Sequence, residues 1–445
     1  MKIFQRLKIL LAMCCLAFAT PACSQAPEDV HTSTTAAKNS VPLWGDFPND
    51  RPTCIHGIHL TSWYTGTKKG RARFEKLLAE TEINTVVIDI KESEGDVYIP
   101  GVKLDGKPNY VNAVPDLKDY IKYLKERGIY VIARQTIFHD NKLARVKPEW
   151  AIHSSSPLAK AKEKGYRSDV WVDKKGSGWA DAYNPEVWKY NIEIAEAAAD
   201  MGFQEVQYDY VRFPSDGPTK LCVYSKPHTS ATAVKALADF LERTHERLKA
   251  RGVGLSIDVF GLVGSSSGDL GIGQKLDQLI QHVDAVSPMM YPSHYYPGEF
   301  GIKEPNASPY ETIYRSIKDT KRVIGTRPVE LRPWLQDFSL GIKYDGKHIR
   351  DQIDAAADHG IYEWILWNPA CRYTRSGLMP PATEEERAEE AKQAAEEKRE
   401  KAEKEAEKSS TESKPVEKKP ADKKSAVRKV SDKKGTARKP VLKKA

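Results

Sequence analysis

Residues 85–91 read Thr85-Val-Val-Ile-Asp-Ile-Lys91, and residues 205–213 read Glu205-Val-Gln-Tyr-Asp-Tyr-Val-Arg-Phe213. Both stretches are short and rich in β-branched and aromatic residues, as expected of strands buried in a parallel sheet. Each also carries charge toward its C-terminal end, and a charge within an apolar strand is costly unless it is paired or functional. Six more segments share these features: 57–63, 130–138, 254–261, 285–292, 330–338 and 362–369. Amphipathic stretches fall between them, at 71–82, 116–127, 186–201, 230–250, 274–281, 308–322 and 347–358. Within 189–200, for example, Ile192, Ile194, Ala195, Ala198 and Ala199 recur at helical spacing. Strands alternating with helices make parallel sheets. Eight such units over 55–375 predict an α/β fold, a closed (β/α)8 TIM barrel. An open doubly wound sheet would need fewer units and a glycine-rich phosphate turn after its first strand. Trp63-Tyr-Thr-Gly-Thr67 lacks that turn.

The two ends of the chain differ from this middle. Lys2, Arg6 and Lys8 precede an apolar run at 9–19, too short to span a bilayer and suited to a signal peptide. Ala17-Phe-Ala19 offers a cleavage site, and Thr20-Pro-Ala-Cys23 loosely matches a lipoprotein site with Cys23 as the lipidated residue. Residues 1–23 are therefore expected to direct export, to the periplasm, a lipid-anchored membrane location or the medium. Residues 24–54 read as a linker, 384–408 as a charged helix or linker, and 409–445 as a disordered basic tail. The tail holds 13 Lys and Arg against 4 Asp and Glu, which accounts for the net charge of +8 on the whole chain. The barrel is thus near neutral, and the overall pI gives no argument for nucleic-acid binding. The tail could attract an anionic envelope polymer, but it lacks aromatics for stacking on bases.

Of six cysteines, Cys54, Cys222 and Cys371 fall outside the signal region. There is no Cys-x-x-Cys and no metal spacing, so neither metal nor cofactor is expected. Cys222 and Cys371 both follow strands, which makes them the one geometrically possible disulfide, with free thiols as the alternative. Gly264-Ser-Ser-Ser-Gly268 matches a nucleophile elbow in letters only, since it sits in a Gly/Ser-rich loop.

In a barrel, sites are built at the C-terminal ends of strands. Long connections follow strands there at 139–185, 214–229 and 293–307. Asp209 and Asp258 lie at the ends of adjacent strands and are the expected catalytic carboxyls. Glycoside hydrolysis uses such a pair, one as nucleophile or base and one as acid. The alternative for Asp209 is an ion pair with Arg212 or Arg134 that orders a loop. The alternative for Asp258 is a turn-capping carboxylate. Asp89 shares a face with Lys91 by period-two alternation, so an internal pair is expected as readily as catalysis. Arg134, Tyr208, Arg212, Tyr291, Trp334, Gln336 and Trp367 are candidate substrate contacts, several of them with faces on which a sugar could stack. Trp63 offers another such face.

The blocks Gly57-Ile-His-Leu-Thr-Ser-Trp63, 81–91, Gln207-Tyr-Asp-Tyr-Val-Arg-Phe-Pro214, Ser287-Pro-Met-Met-Tyr291 and Arg332-Pro-Trp-Leu-Gln-Asp337 resemble the signature of the DUF4015 family. The resemblance covers about 55–375 and implies a TIM-barrel glycoside hydrolase acting on a carbohydrate polymer. A barrel that holds glycan at the envelope without cleaving it is the competing reading, because fold alone does not separate the two. A protein that binds polyanions through its tail is a third.

Overall fold

A computed structural model describes residues 51–383, with Glu386 and Lys392 besides. The expected signal at 1–23, Cys23, most of the 24–54 linker, and nearly all of 384–408 and 409–445 lie outside the described residues.

Eight parallel strands form the barrel: β1 (His56–Leu60), β2 (Thr85–Lys91), β3 (Tyr130–Thr136), β4 (Glu205–Asp209), β5 (Gly254–Phe260), β6 (Ala285–Met289), β7 in two pieces (Glu330–Leu331 and Trp334–Gln336) and β8 (Trp364–Trp367). Each pairs with the next, and β8 pairs with β1 through His56–Trp364, so the sheet closes. β7 is broken around Pro333, which has no N–H for the ladder. Helices α1 (Lys68–Glu80), α2 (Leu117–Lys125), α3 (Pro185–Met201), α4 (Ser230–Lys249), α5 (Leu276–Leu279), α6 (Pro309–Ile324) and α7 (Gly346–Ala357) follow β1 to β7 in turn. Local sequence fixes their ends. α3 starts on an Asn184 side-chain cap with Pro185 in its first turn, and it stops at Gly202, where φ is 107°. α4 starts on a Thr229–Thr232 capping box. After β8 a short turn at Arg375–Gly377 packs beside α7, and backbone and side chain of Glu82 hold Met379.

Except for β2, the observed strands are shorter than their sequence patterns at the C-terminal ends. β4 stops at Asp209 because Tyr210 takes a φ of 55° and turns the chain out of the sheet. A non-glycine residue there stores strain, of the kind that gathers at functional sites. A second departure is in β2. A register shift between Asp89 and Lys91 breaks the period-two alternation. Lys91 is turned to the helix side, where its Nζ lies 2.8 Å from Asp140 Oδ2 and 3.1 Å from Asn191 Oδ1 of α3. The expected pairing of Asp89 with Lys91 is therefore not what forms. Cys222 and Cys371 are free thiols, so the possible disulfide between them is absent.

The inside of the barrel is filled in levels. At the N-terminal end, Arg332 pairs with Glu205 at 2.9 Å and faces Glu363 at 3.8 Å. Ser256 Oγ donates to Glu205 at 2.5 Å. Arg51 joins Glu363 at 2.6 Å and also binds Glu330, so ordered packing already includes the last residues of the stretch expected to be linker. Burial, then the charge of Glu363, pushes the Glu330 carboxyl well above the usual range. Above this level sit Val87, Ile132, Ile365 and the Gln207–Ser287 hydrogen bond. Asp89, Arg134, Asp209 and Asp258 form the top.

Arg332 is completely buried. Arg332→Ala would leave the Glu205 carboxylate without its cation, while Glu363 keeps Arg51, and removing one partner of a buried pair costs about 3–5 kcal/mol. The expected outcome is a lower urea midpoint with an unchanged denaturant slope.

Candidate active site

At the C-terminal end of the barrel the inward-facing residues of seven strands gather around one guanidinium. Arg134 on β3 is 8% exposed; its Nη1 donates to Asp89 Oδ1 of β2 at 2.6 Å, and its Nη2 donates to Asp209 Oδ2 of β4. Its Nε lies 3.9 Å from Asp258 Oδ2 of β5. His59 Nε2 on β1 lies 2.8 Å from the other Asp89 oxygen. Trp334 Nε1 on β7 donates to Asp258 Oδ1 at 2.7 Å. Trp367 on β8 stacks on His59 with centroids 4.2 Å apart, and the Arg134 guanidinium sits 5.1 Å from its ring.

Three carboxyl groups around one arginine are not equivalent. Burial works against the charge of Asp89, but His59 and Arg134 outweigh it and hold its carboxyl below the usual range. Asp258 goes the other way. Its burial, reinforced by the negative charge of Asp209, pushes its carboxyl well above the usual range, against Arg134 and the Trp334 hydrogen bond. Three acids, of which one is pushed toward the neutral form, are the electrostatic setting for proton transfer.

The expected substrate contacts separate into groups. Arg134, Tyr291 and Trp367 stand at this cluster. Tyr291 is 8% exposed, and burial first, then Asp258 and Asp209, raise its phenol well above its ordinary value. Trp334 is 1% exposed, so it holds Asp258 from below and offers no open face for stacking. Tyr208 and Gln336 are corrections. Tyr208 points outward and stacks on Phe240 of α4 at 5.5 Å, because alternation on β4 turns Gln207 and Asp209 inward. Gln336 is fully buried, and its amide accepts from Ser293 N at 3.0 Å and donates to Phe338 O at 2.9 Å. Arg212 lies in a separate aromatic cage beside Asp209.

Sequence reasoning did not assign His59 or Glu92 to the site, and it left Asp89 between an internal pair and catalysis. Glu92 follows β2 and is only partly buried. Its carboxyl accepts from Tyr98 Oη, and burial, then Asp89, pushes it up against that bond. Tyr98 in turn meets the edge of Trp63, which is 56% exposed. The available signal was position, since all three sit at the ends of β1 and β2.

The wall next to Asp209 is made by two long loops zipped together. His153–Ser154, after β3, pairs antiparallel with Cys222–Val223, after β4. Trp171 Nε1 donates to Pro218 O at 3.0 Å across the same seam. Gly217, with φ 76°, lies where a Cβ would come 3.0 Å from Asp173 Cα. Among the described residues no group of three or more His, Cys, Asp or Glu is placed to hold a metal ion.

Comparison with known families agrees with this geometry. The DUF4015 model, described as "Putative glycosyl hydrolase domain", matches residues 57–373. The chain belongs to the DUF4015 family. Its domain is therefore glycoside-hydrolase-like. Among solved structures, a hypothetical protein from Ruminiclostridium thermocellum ATCC 27405 is 30% identical, with 45% of this chain and 97% of that chain covered and a TM-score of 0.37. The glycoside hydrolase domain of PgaB (BpsB) from Bordetella bronchiseptica is 13% identical, with 73% and 99% covered and a TM-score of 0.54, a likeness of fold. No curated protein matches the sequence.

Arg134→Gln would leave three buried carboxyls facing each other, at a cost of about 3–5 kcal/mol at pH 7. Asp89, whose carboxyl is lowered in the folded protein, contributes stability above its unfolded pKa and loses it as pH falls through the lower folded value. The gap between wild type and Arg134→Gln should therefore be widest near neutrality and narrow below about pH 4, where unfolded carboxyls also protonate. Urea midpoints across pH check it, and a gap independent of pH would contradict the role given to Arg134.

Proposed function

We propose that the protein is an exported glycoside hydrolase that cleaves an envelope or extracellular polysaccharide by a two-carboxyl mechanism. The observation that carries this is the convergence of Asp209 and Asp258 on Arg134, with Asp258 pushed toward its protonated form. In this reading Asp209 supplies the carboxylate that attacks the anomeric carbon or activates a water. Asp258 supplies the proton for the leaving oxygen, and Arg134 fixes the direction of both. Tyr291 and Trp367 contact the sugar in the mouth, and Trp63 stacks on a unit farther out. The signal ending at Cys23 carries the enzyme out of the cytoplasm, with Cys23 as its lipid attachment, and the basic tail holds it near anionic envelope polymer.

One observation favours a second reading of the donor. Asp258 is 1% exposed, whereas Glu92 is partly exposed, has a raised pKa and stands beside the Trp63–Tyr98 face. Two variants separate the readings. With Asp258 as donor, Asp258→Asn lowers kcat by about 10²–10⁴-fold and Glu92→Gln by less than about tenfold. With Glu92 as donor, the ranking reverses. In either case turnover falls as pH rises through the raised pKa of the donor, because the donor must enter the step protonated.

Asp209→Asn should remove about 10³-fold or more of kcat with little change in unfolding midpoint. The assay is release of reducing ends from a panel of bacterial polysaccharides. If Asp209→Asn retains wild-type turnover, the assignment of Asp209 fails. If wild type binds glycan and never releases reducing ends, the barrel is a binding module.

A further inference from the structure

Arg212 is a buried cation for which the mechanism above has no use. It leaves the sheet three residues after Asp209, and it is 8% exposed. Its guanidinium carbon lies 4.9 Å from the Trp179 ring, 4.8 Å from Tyr210 and 4.8 Å from Phe260. Nη1 donates to Phe213 O at 3.1 Å and to Ser215 Oγ at 3.3 Å. No carboxylate pairs with it among the described residues, and burial lowers its pKa. Arginine cannot escape that cost by losing its proton. Aromatic faces return part of it, but they take none of the N–H donors that lie in the guanidinium plane.

The same cage holds a second unsatisfied group. His139 stacks on Trp179 at 4.6 Å with an interplanar angle of 12°, and its ring centroid is 4.9 Å from that of Tyr210. Neither of its ring nitrogens has a hydrogen-bond partner among the described residues. The nearest acid, Asp173 Oδ2, is 3.7 Å from Nε2 and accepts from Trp179 Nε1 at 3.3 Å. Burial pushes the imidazole down to about 4, so at neutral pH it is uncharged and offers one donor and one acceptor. A guanidinium edge with no partner, beside an imidazole whose buried nitrogens take none, sets this aromatic box apart from an ordinary packing core.

We propose that the cage around Arg212 is the subsite for an acidic sugar unit, whose planar carboxylate takes the Nε/Nη2 edge of Arg212. The carboxylate is favoured over a phosphate on two grounds. The guanidinium fork presents two parallel donors in a plane. A single negative charge is also repelled less than a dianion by nearby Asp209. The inference rests on the hydrolase reading only for its position beside the scissile bond, and it makes the substrate a polysaccharide containing uronic acid.

The test uses the full chain with Asp209→Asn, so that no glycan is consumed. Calorimetric titration compares oligosaccharides of glucuronate and of galacturonate with their methyl esters, which lose the charge and gain one methyl group. The acids should bind at least tenfold more tightly than the esters, and added salt should shrink the difference. Adding Arg212→Gln should abolish it. If that double variant unfolds, Arg212→Lys keeps the charge, loses the fork and should still cut the preference. Equal binding of acid and ester, a preference that survives both Arg212 variants, or no binding of any acidic probe each overturns the subsite. A preference for acids in a wild-type protein with no turnover supports the subsite and counts against hydrolysis. Turnover of glycans without such a preference overturns the subsite and leaves hydrolysis standing.

Discussion

Arg134 cannot be in water and cannot lose its charge, so the top of the barrel is organised around neutralising it. Two of its donors are taken by Asp89 and Asp209, and Asp258 faces its Nε. One cation balances at most one or two of three carboxyl groups, and the excess negative charge has to be removed elsewhere. His59 lies against Asp89, and burial together with Asp209 pushes Asp258 toward its neutral form. The unequal protonation of the three acids thus follows from a shortage of positive charge in a closed space. A second arginine at this level would satisfy the acids and even them out.

The barrel repeats this device at its other end with the opposite outcome. Arg332 and Arg51 face Glu205, Glu330 and Glu363, again fewer cations than acids. There Arg332 is fully buried and the long loops are on the opposite face. The two networks are related by strand alternation, because Glu205 and Asp209 are on the same face of β4. What separates structure from function is which end of the strand meets the outside.

The eight strands and seven helices were legible because hydrophobic period and turn residues agree along the whole chain. The carboxyls at Asp209 and Asp258 were legible for a related reason, since charge at the end of an apolar strand is conspicuous. Two departures from the expected placement share a cause. Period-two reasoning places a side chain only while the strand stays regular. The bulge in β2 moved Lys91 to the helices, and the turn at Tyr210 took Arg212 out of the barrel into its own cage. Tyr208 was misplaced by weighing its aromatic character above its alternation with Asp209. Gln336 faces inward as expected, but its amide is spent on the Ser293 loop, a partner 43 residues away that no local pattern announces. His59 and Glu92 were overlooked because single polar residues near strand ends have no signature until the barrel closes.

Both limits of the described chain sit at the same face. Arg51 is tied to Glu330 and Glu363 at the start of β7 and β8, and Met379 is held by Glu82 just before β2. A reporter, an affinity handle or a bead joined directly at Arg51 or just past Met379 would therefore be delivered behind the barrel, on the side away from the mouth. A protein trimmed to residues 51–383 could be immobilised by either end for single-chain pulling or sensor work without blocking the surface under study.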